Sequence, residues 1–349
     1  MDKKELYQYV GSMQMVYIRK VTCEEGRSTG LRMFDVKNEC LQYQVMCDKC
    51  LDVAGFSYKG INMNFLSKPG LQGRNHYDTN GQEALRSIMG GLFFTAGMEN
   101  ICAPYKNETG EYPMHGRIRT TPAGEVSSSQ EWTKDGLVLK VSGTMREAEL
   151  FGENMVLRRS IESVAGSKSI KVIDEIENEA YRDEPLMLLY HINLGYPFLT
   201  PAMKFYIPTK KVTPRDEASK GHEDRYDRMD KPKKNEPEYV FIHDMKKTKD
   251  KKTWVLAVNP DLKLGLKIQF NMKNLPYFME WKSTAAGDYV IGLEPSNSSV
   301  YGRGYHEKNG DLHMLKPFEK EKNELVFTVL DGDEEIQAAV EEFDKQLNQ

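Results

Sequence analysis

The sequence lacks any long apolar run. Nothing in it approaches the roughly 20 consecutive apolar residues that a membrane-spanning helix requires, so no membrane partner is expected. The first residues, Met1-Asp2-Lys3-Lys4-Glu5-Leu6, contain no apolar core of the kind that marks an export signal, which points to a cytoplasmic protein. Cysteine is scarce and odd in number, with 5 in 349 residues, so a disulfide framework is not expected. Cys47 and Cys50 form a CxxC, with Cys40 nearby. A zinc site would need two further ligands, and there is no second CxxC and no HxxxH to supply them. The pair therefore reads as structural, and no metal is expected there. Excess positive charge is also missing: the formal net charge of -4 gives no footprint for nucleic acid. The chain has no Gly-Lys-Ser/Thr phosphate loop, no GxGxxG following a strand and no Gly-x-Ser-x-Gly elbow.

What is present is a succession of short strands separated by turns. Residues 137–143, 155–161, 169–178, 254–258, 264–270 and 325–330 have the apolar patterning of strands, and Ile170, Val172 and Ile176 share one face at even positions. Two helices are expected. A short one covers residues 80–89, ending at Gly90-Gly91. A better one covers 333–343, with Ile336, Ala339, Val340 and Phe343 along one side. Many strands and few helices predict a mainly β fold, a large antiparallel β-sandwich. No Pro/Gly/Ser linker divides the chain, so residues 1–349 read as one domain. The polar stretch from Thr213 to Pro237 and the basic run Lys246–Lys252 read as solvated, the latter as a hairpin tip.

Three segments pair an ionisable residue with turn formers. His115 lies in Met114-His115-Gly116-Arg117, and on an extended strand Arg117 would share its face. His191 follows the apolar run Leu186–Tyr190, where partial desolvation would let it titrate near neutrality; Asn193 would point to the same side. Glu294 follows the strand 288–293 and precedes Pro295-Ser296-Asn297, a strand-end position where pockets form. A desolvated glutamate is a competent general base and a histidine a competent acid. The order His, His, Glu on a strand-rich chain suggests proton transfer at a sugar hemiacetal. Trp281 is a candidate stacking surface for a sugar ring.

These segments, together with Asp48–Val53 and Gly90–Gly97, resemble the aldose 1-epimerase (galactose mutarotase-like) superfamily, and within it a divergent branch known as a domain of unknown function. The resemblance runs from about Asp48 to the last strand. It implies a galactose mutarotase-like supersandwich that binds a small sugar or sugar derivative across a concave sheet, without cofactor. It implies that His115 contacts the sugar, that His191 is the general acid and that Glu294 is the general base. In that scheme Glu294 removes the anomeric hydroxyl proton while protonated His191 donates to the ring oxygen. The sugar-binding Asn-Arg stretch that precedes the first histidine in the superfamily is replaced here by Glu99-Asn100, and Asn100 stands as a candidate sugar ligand. The superfamily's binding aspartate between the second histidine and the glutamate has no clear match. Arg117, Arg303 and Lys282 would favour an acidic or phosphorylated sugar. The expected activity is an isomerase interconverting sugar anomers. The alternatives are a non-catalytic carbohydrate-binding protein and an epimerase or lyase acting at a sugar carbon.

Overall fold

The computed structural model describes residues 3–73, 81–246 and 251–347. The chain forms a mainly β architecture of two large antiparallel sheets. An 11-stranded sheet runs in the order Val16–Thr22, Arg32–Asn38, Leu41–Met46, Asp52–Tyr58, Phe93–Met98, Met187–Leu194, Asp288–Ser296, Tyr277–Ala285, Glu238–Met245 and Thr209–Pro214, with Ile61–Asn62 beside Asp52–Tyr58. An 8-stranded sheet runs Gly124–Thr133, Gly136–Ala148, Asn154–Val164, Ser169–Asn178, Lys320–Asp331, Leu264–Asn271, Lys252–Asn259 and Lys204–Tyr206.

The main apolar cluster lies between the sheets. Leu139, Val141, Ile170, Val172, Ile176 and Phe327 enter it from the smaller sheet, and Val53, Leu188, Ile192, Phe278 and Leu293 from the larger. Strict alternation in Gly136–Ala148 and Ser169–Asn178 reflects one buried and one wetter face. The strand Met187–Leu194 is buried at every position because both its faces are covered. Leu188, Tyr190 and Ile192 turn to the inter-sheet core, whereas Met187 and Leu189 join a second apolar cluster on the opposite face.

A charged group holds the two sheets together through this core. Arg159, on the smaller sheet, is fully buried. Its Nε and Nη2 donate to Asp174 at 2.8 and 2.7 Å, and Nη1 donates to Asp52 at 2.7 Å and to the Cys50 carbonyl at 3.0 Å. Nη2 also donates to Thr95 Oγ1 at 2.9 Å, and the Tyr190 hydroxyl donates to Asp174 at 2.7 Å. Five strands thereby meet at one guanidinium.

The helix Asp333–Leu347 forms as its pattern predicts. Ala339 and Phe343 close over Trp254, Leu256 and Val258 on the outer face of the smaller sheet, and three acidic residues occupy its first turn, where the helix dipole favours them. Within 80–89 the structure has a short 3-10 helix, Gly81–Arg86, in place of a regular α-helix; Asn80 lies outside the described residues. The helix Gly302–Asn309 has no apolar stripe to announce it. His306 holds it from within, between Ser299 and Asp311, and Gly310 ends it at φ 68°. Of the basic run Lys246–Lys252, residues 247–250 lie outside those described. Cys47 and Cys50 are free thiols buried in the main core.

Replacing Arg159 by methionine leaves two buried carboxylates without their cation. A buried pair broken from one side costs about 3–5 kcal/mol. Denaturant unfolding of Arg159→Met is expected to show a loss of that size, whereas a change within about 1 kcal/mol would rule out the clamp as a stabilising unit.

Candidate active site

The large sheet presents its second face to a cavity of about 770 Å³. Neighbouring strands place the chemistry there by register. Leu189 pairs with Ser296 and Ile192 with Leu293, so His191 stands directly across from Glu294. Pro295, with no N–H, cannot complete the ladder at this point. Beyond it, Ser296 Oγ donates to the Leu188 carbonyl at 2.8 Å, and Asn297 Oδ1 accepts the Leu188 N–H at 2.7 Å, which locks the register.

His191 Nε2 lies 3.1 Å from Glu294 Oε1. Both residues are buried. The approach is not aligned as a hydrogen bond. Among the described residues, Glu294 Oε1 and His191 Nδ1 are buried without a hydrogen-bond partner. Buried polar atoms normally have partners, and these two lie on the wall of the cavity. The imidazole stacks on Phe94, its cross-strand partner, with ring centres 4.5 Å apart, and meets the edge of Trp281 at 5.3 Å.

Space for the pair comes from Gly292. A Cβ there would lie 2.5 Å from Glu294 Oε1 and 3.1 Å from His191 Cε1. A side chain in place of Gly292 would therefore displace the Glu294 carboxylate.

His115 completes the constellation, 5.7 Å from the His191 ring. Its Nδ1 accepts the Cys102 N–H at 3.3 Å, which places the proton of the neutral ring on Nε2. Its backbone is left-handed (φ 58°), and so is that of Gly116 (φ 68°), where a Cβ would lie 1.8 Å from the Gly97 carbonyl oxygen. The tight turn explains why histidine is followed by glycine.

Burial sets the protonation of the pair. It pushes Glu294 up to about 8, an effect that Arg215 moderates and that Glu238 and Glu280 reinforce. It pulls His191 down to about 4, with Asn193 opposing. Burial, with the neighbouring His191 and Arg119, also carries His115 well below its ordinary range. At neutral pH the pair thus holds one proton, resting on Glu294 while His191 is uncharged.

The structure brings His115, His191, Glu294, Asn193 and Trp281 to one cavity wall. Asn193 Nδ2 donates to the His191 carbonyl at 2.7 Å, and Trp281 Nε1 to Glu238 at 2.9 Å. Four expected sugar ligands do not line this cavity. Arg117 was expected on the face of His115, but the two left-handed residues break the alternation, and it turns to Glu99 at 2.5 Å and to the Glu111 carbonyl at 3.0 Å. Arg303 is held by Glu307 at 2.6 Å and the Glu99 carbonyl at 2.8 Å, above the Tyr112 ring. Asn100 is buried and its amide donates to the carbonyls of Ala103 and Pro113, tying a loop together. Lys282 is also turned away, bound to Glu280 at 2.9 Å and to carbonyls of the segment 225–228.

The sequence reading missed Phe94, Arg215, Glu238 and Gly292. Arg215 lies in the stretch taken as solvated, yet it lines the cavity and bonds Asp216 and Glu238. Glu238, between the second histidine and the glutamate in the chain, supplies a cavity carboxylate where no aspartate was recognisable.

The comparisons with known proteins agree with this architecture. The family described as a domain of unknown function (DUF4432) matches residues 28–329. A candidate aldose 1-epimerase from Klebsiella pneumoniae superposes with a TM-score of 0.91 at 21% identity, covering 97% of this chain and 91% of its own. A galactose mutarotase-like protein from Clostridium acetobutylicum gives 0.64 at 14% identity, covering 91% and 99%. Galactose 1-epimerase from Lactobacillus acidophilus gives 0.57 at 14% identity, again covering 91% and 99%. No curated protein matches the sequence. At these identities the likeness establishes the galactose mutarotase-like fold.

Two measurements check the site. In Gly292→Ala the added methyl group meets Glu294 and His191, and overpacking of this kind costs about 1–3 kcal/mol; unchanged thermal stability would contradict the contact. The His191 ring, followed by NMR, is expected to titrate near 4, and to remain well below 6.5 in Glu294→Gln because burial is the cause.

Proposed function

The chain belongs to the family described as a domain of unknown function, DUF4432, and we propose that it is a carbohydrate-active isomerase that interconverts the anomers of a reducing sugar. The observation that carries this reading is the buried, one-proton His191–Glu294 pair facing a cavity beside His115. Mutarotation needs one group to take the anomeric hydroxyl proton and another to give a proton to the ring oxygen. A pair with a single shared proton does both.

The steps balance within the pair. The proton passes from Glu294 to His191. The Glu294 carboxylate takes the proton of the anomeric hydroxyl as His191 returns one to the ring oxygen. The bond between the anomeric carbon and that oxygen breaks, leaving an open-chain carbonyl. After rotation about the adjacent carbon–carbon bond, the same groups run in reverse and close the other face. His115, neutral with its Nε2–H free to donate, positions a hydroxyl. Asn193 and Trp281 bound the ring from the sheet side.

Anomer exchange is measurable by saturation-transfer NMR across a panel of reducing sugars. Glu294→Gln and His191→Ala are each expected to lower the exchange rate by about 10²–10⁴-fold, the usual worth of a general acid or base. Wild-type rates in both would sink the mechanism. Deuterium entering at carbon from heavy water would instead show chemistry at a carbon–hydrogen bond.

The pH profile follows from the proton count of the coupled pair. Below about 4 His191 gains a second proton for the pair and no acceptor remains; above about 8 Glu294 loses the only proton and no donor remains. A bell with limbs near these values is expected, and a rate still rising at pH 9 would contradict it.

A further inference from the structure

The cavity is much longer than the chemistry at its end, and we propose that the substrate is a reducing disaccharide, its reducing ring at the His191–Glu294 pair and its second ring further along the sheet. This inference rests on the anomerase reading of the site. Along the strand Asp288–Ser296, residues Glu294, Val290 and Asp288 all line the same cavity. Glu294 and Asp288 are six residues apart, about 20 Å at about 3.3 Å per residue. The next strand runs beside it in register, with Trp281 opposite Gly292, Ser283 opposite Val290 and Ala285 opposite Asp288.

One direction is closed. Beyond the pair, Met187, Leu189 and Met279 are buried on this face in one apolar cluster with Ile101 and Val300, and Val300 lines the cavity there. The other direction opens towards solvent. His191 and Glu294 are 7% and 5% exposed, whereas the side chains of Lys68 and Asp288, an ion pair 2.6 Å apart at the far end, are 65% and 47% exposed. Among the described residues, a ligand that reacts at the pair therefore extends towards Lys68 and Asp288.

The first ring occupies the stretch from Glu294 to the Trp281 row, two residues or about 7 Å along the strand. The next rows offer the alternation that sugar rings require. Glu238 and Ser283 are hydrogen-bonding groups on one side, and Val290, Ile88 and Phe65 are an apolar wall for ring carbons. Glu238 already accepts from Trp281 and Arg215, yet a carboxylate has about four acceptor sites, so capacity remains. A lone ring would leave this lined space to water. A second ring linked away from the anomeric carbon fills it.

The test pairs each disaccharide with its own reducing-end sugar: maltose, cellobiose and lactose against glucose, and β-1,4-galactobiose against galactose. Binding is read by calorimetry on the wild type and on Glu294→Gln, and anomer exchange by NMR. At least one disaccharide is expected to bind ten-fold or more tightly than its reducing-end sugar, with kcat/KM higher in the same ratio. Ala285→Trp, which fills the far row, is expected to bring that ratio to about one. Equal or weaker binding of every disaccharide overturns the proposal, as does binding of no sugar, and so does a preference that survives Ala285→Trp in a folded protein. Tight disaccharide binding without exchange upholds the elongated site and overturns only the isomerase reading.

Discussion

The arrangement depends on a single buried cation. Arg159 draws Asp174 from its own sheet and Asp52, Thr95 and the Cys50 carbonyl from the opposing one, and Tyr190 completes the set through Asp174. Apolar contacts between two sheets are permissive, since many relative shifts bury similar areas. A guanidinium has five donors in a fixed fork and accepts far fewer arrangements. Removing a charge from water carries a heavy penalty, which is offset only when every donor finds its acceptor. The sheets are thus held at the one offset that satisfies Arg159. Tyr190 is the residue before His191, so the offset that satisfies the clamp also fixes where the histidine stands.

On the far side of the same strands the logic inverts. His191 and Glu294 are buried beside one another with polar atoms left unmatched, where the core leaves none at Arg159. Phe94 and Trp281 remove water from the imidazole, and Gly292 lets the two groups approach. Water exclusion keeps the pair uncharged at neutral pH, with the proton on Glu294 and the imidazole 3.1 Å away. The low dielectric disfavours a charge on either group, so the same burial raises the glutamate and lowers the histidine.

Much of the fold was legible in the sequence because period-two burial is written into the smaller sheet, as in Ser169–Asn178, and into the stripe of the last helix. His191 and Glu294 stood out because each interrupts an apolar run; both were expected at strand ends, but the strands Met187–Leu194 and Asp288–Ser296 continue past them. The rest depended on contacts between distant segments. Arg117 was placed beside His115 by an extended spacing that two left-handed residues cancel. Asn100 and Arg303 are typical sugar ligands by residue type, but backbone carbonyls and Glu307 claim them. Arg215 sits in a polar stretch whose composition is that of a solvated loop and Glu238 directly follows it, and the pairing of Glu238–Met245 between Thr209–Pro214 and Tyr277–Ala285 brings both to the cavity. Gly292 reads as an ordinary strand glycine until the pair it accommodates is seen.

Alternation along the strand Met187–Leu194 has a consequence for how such a chain can change in length. Tyr190 and Ile192 serve the interior, and His191 and Asn193 serve the cavity, in strict turn. Inserting or deleting one residue here would send the imidazole into the inter-sheet core and the phenol into the cavity, so structural integrity and chemistry would fail together. Length variation is therefore confined to the connections, which shape the walls and mouth of the cavity. The cavity's outline can thus change while the strand that carries His191 and Asn193 keeps its alternation.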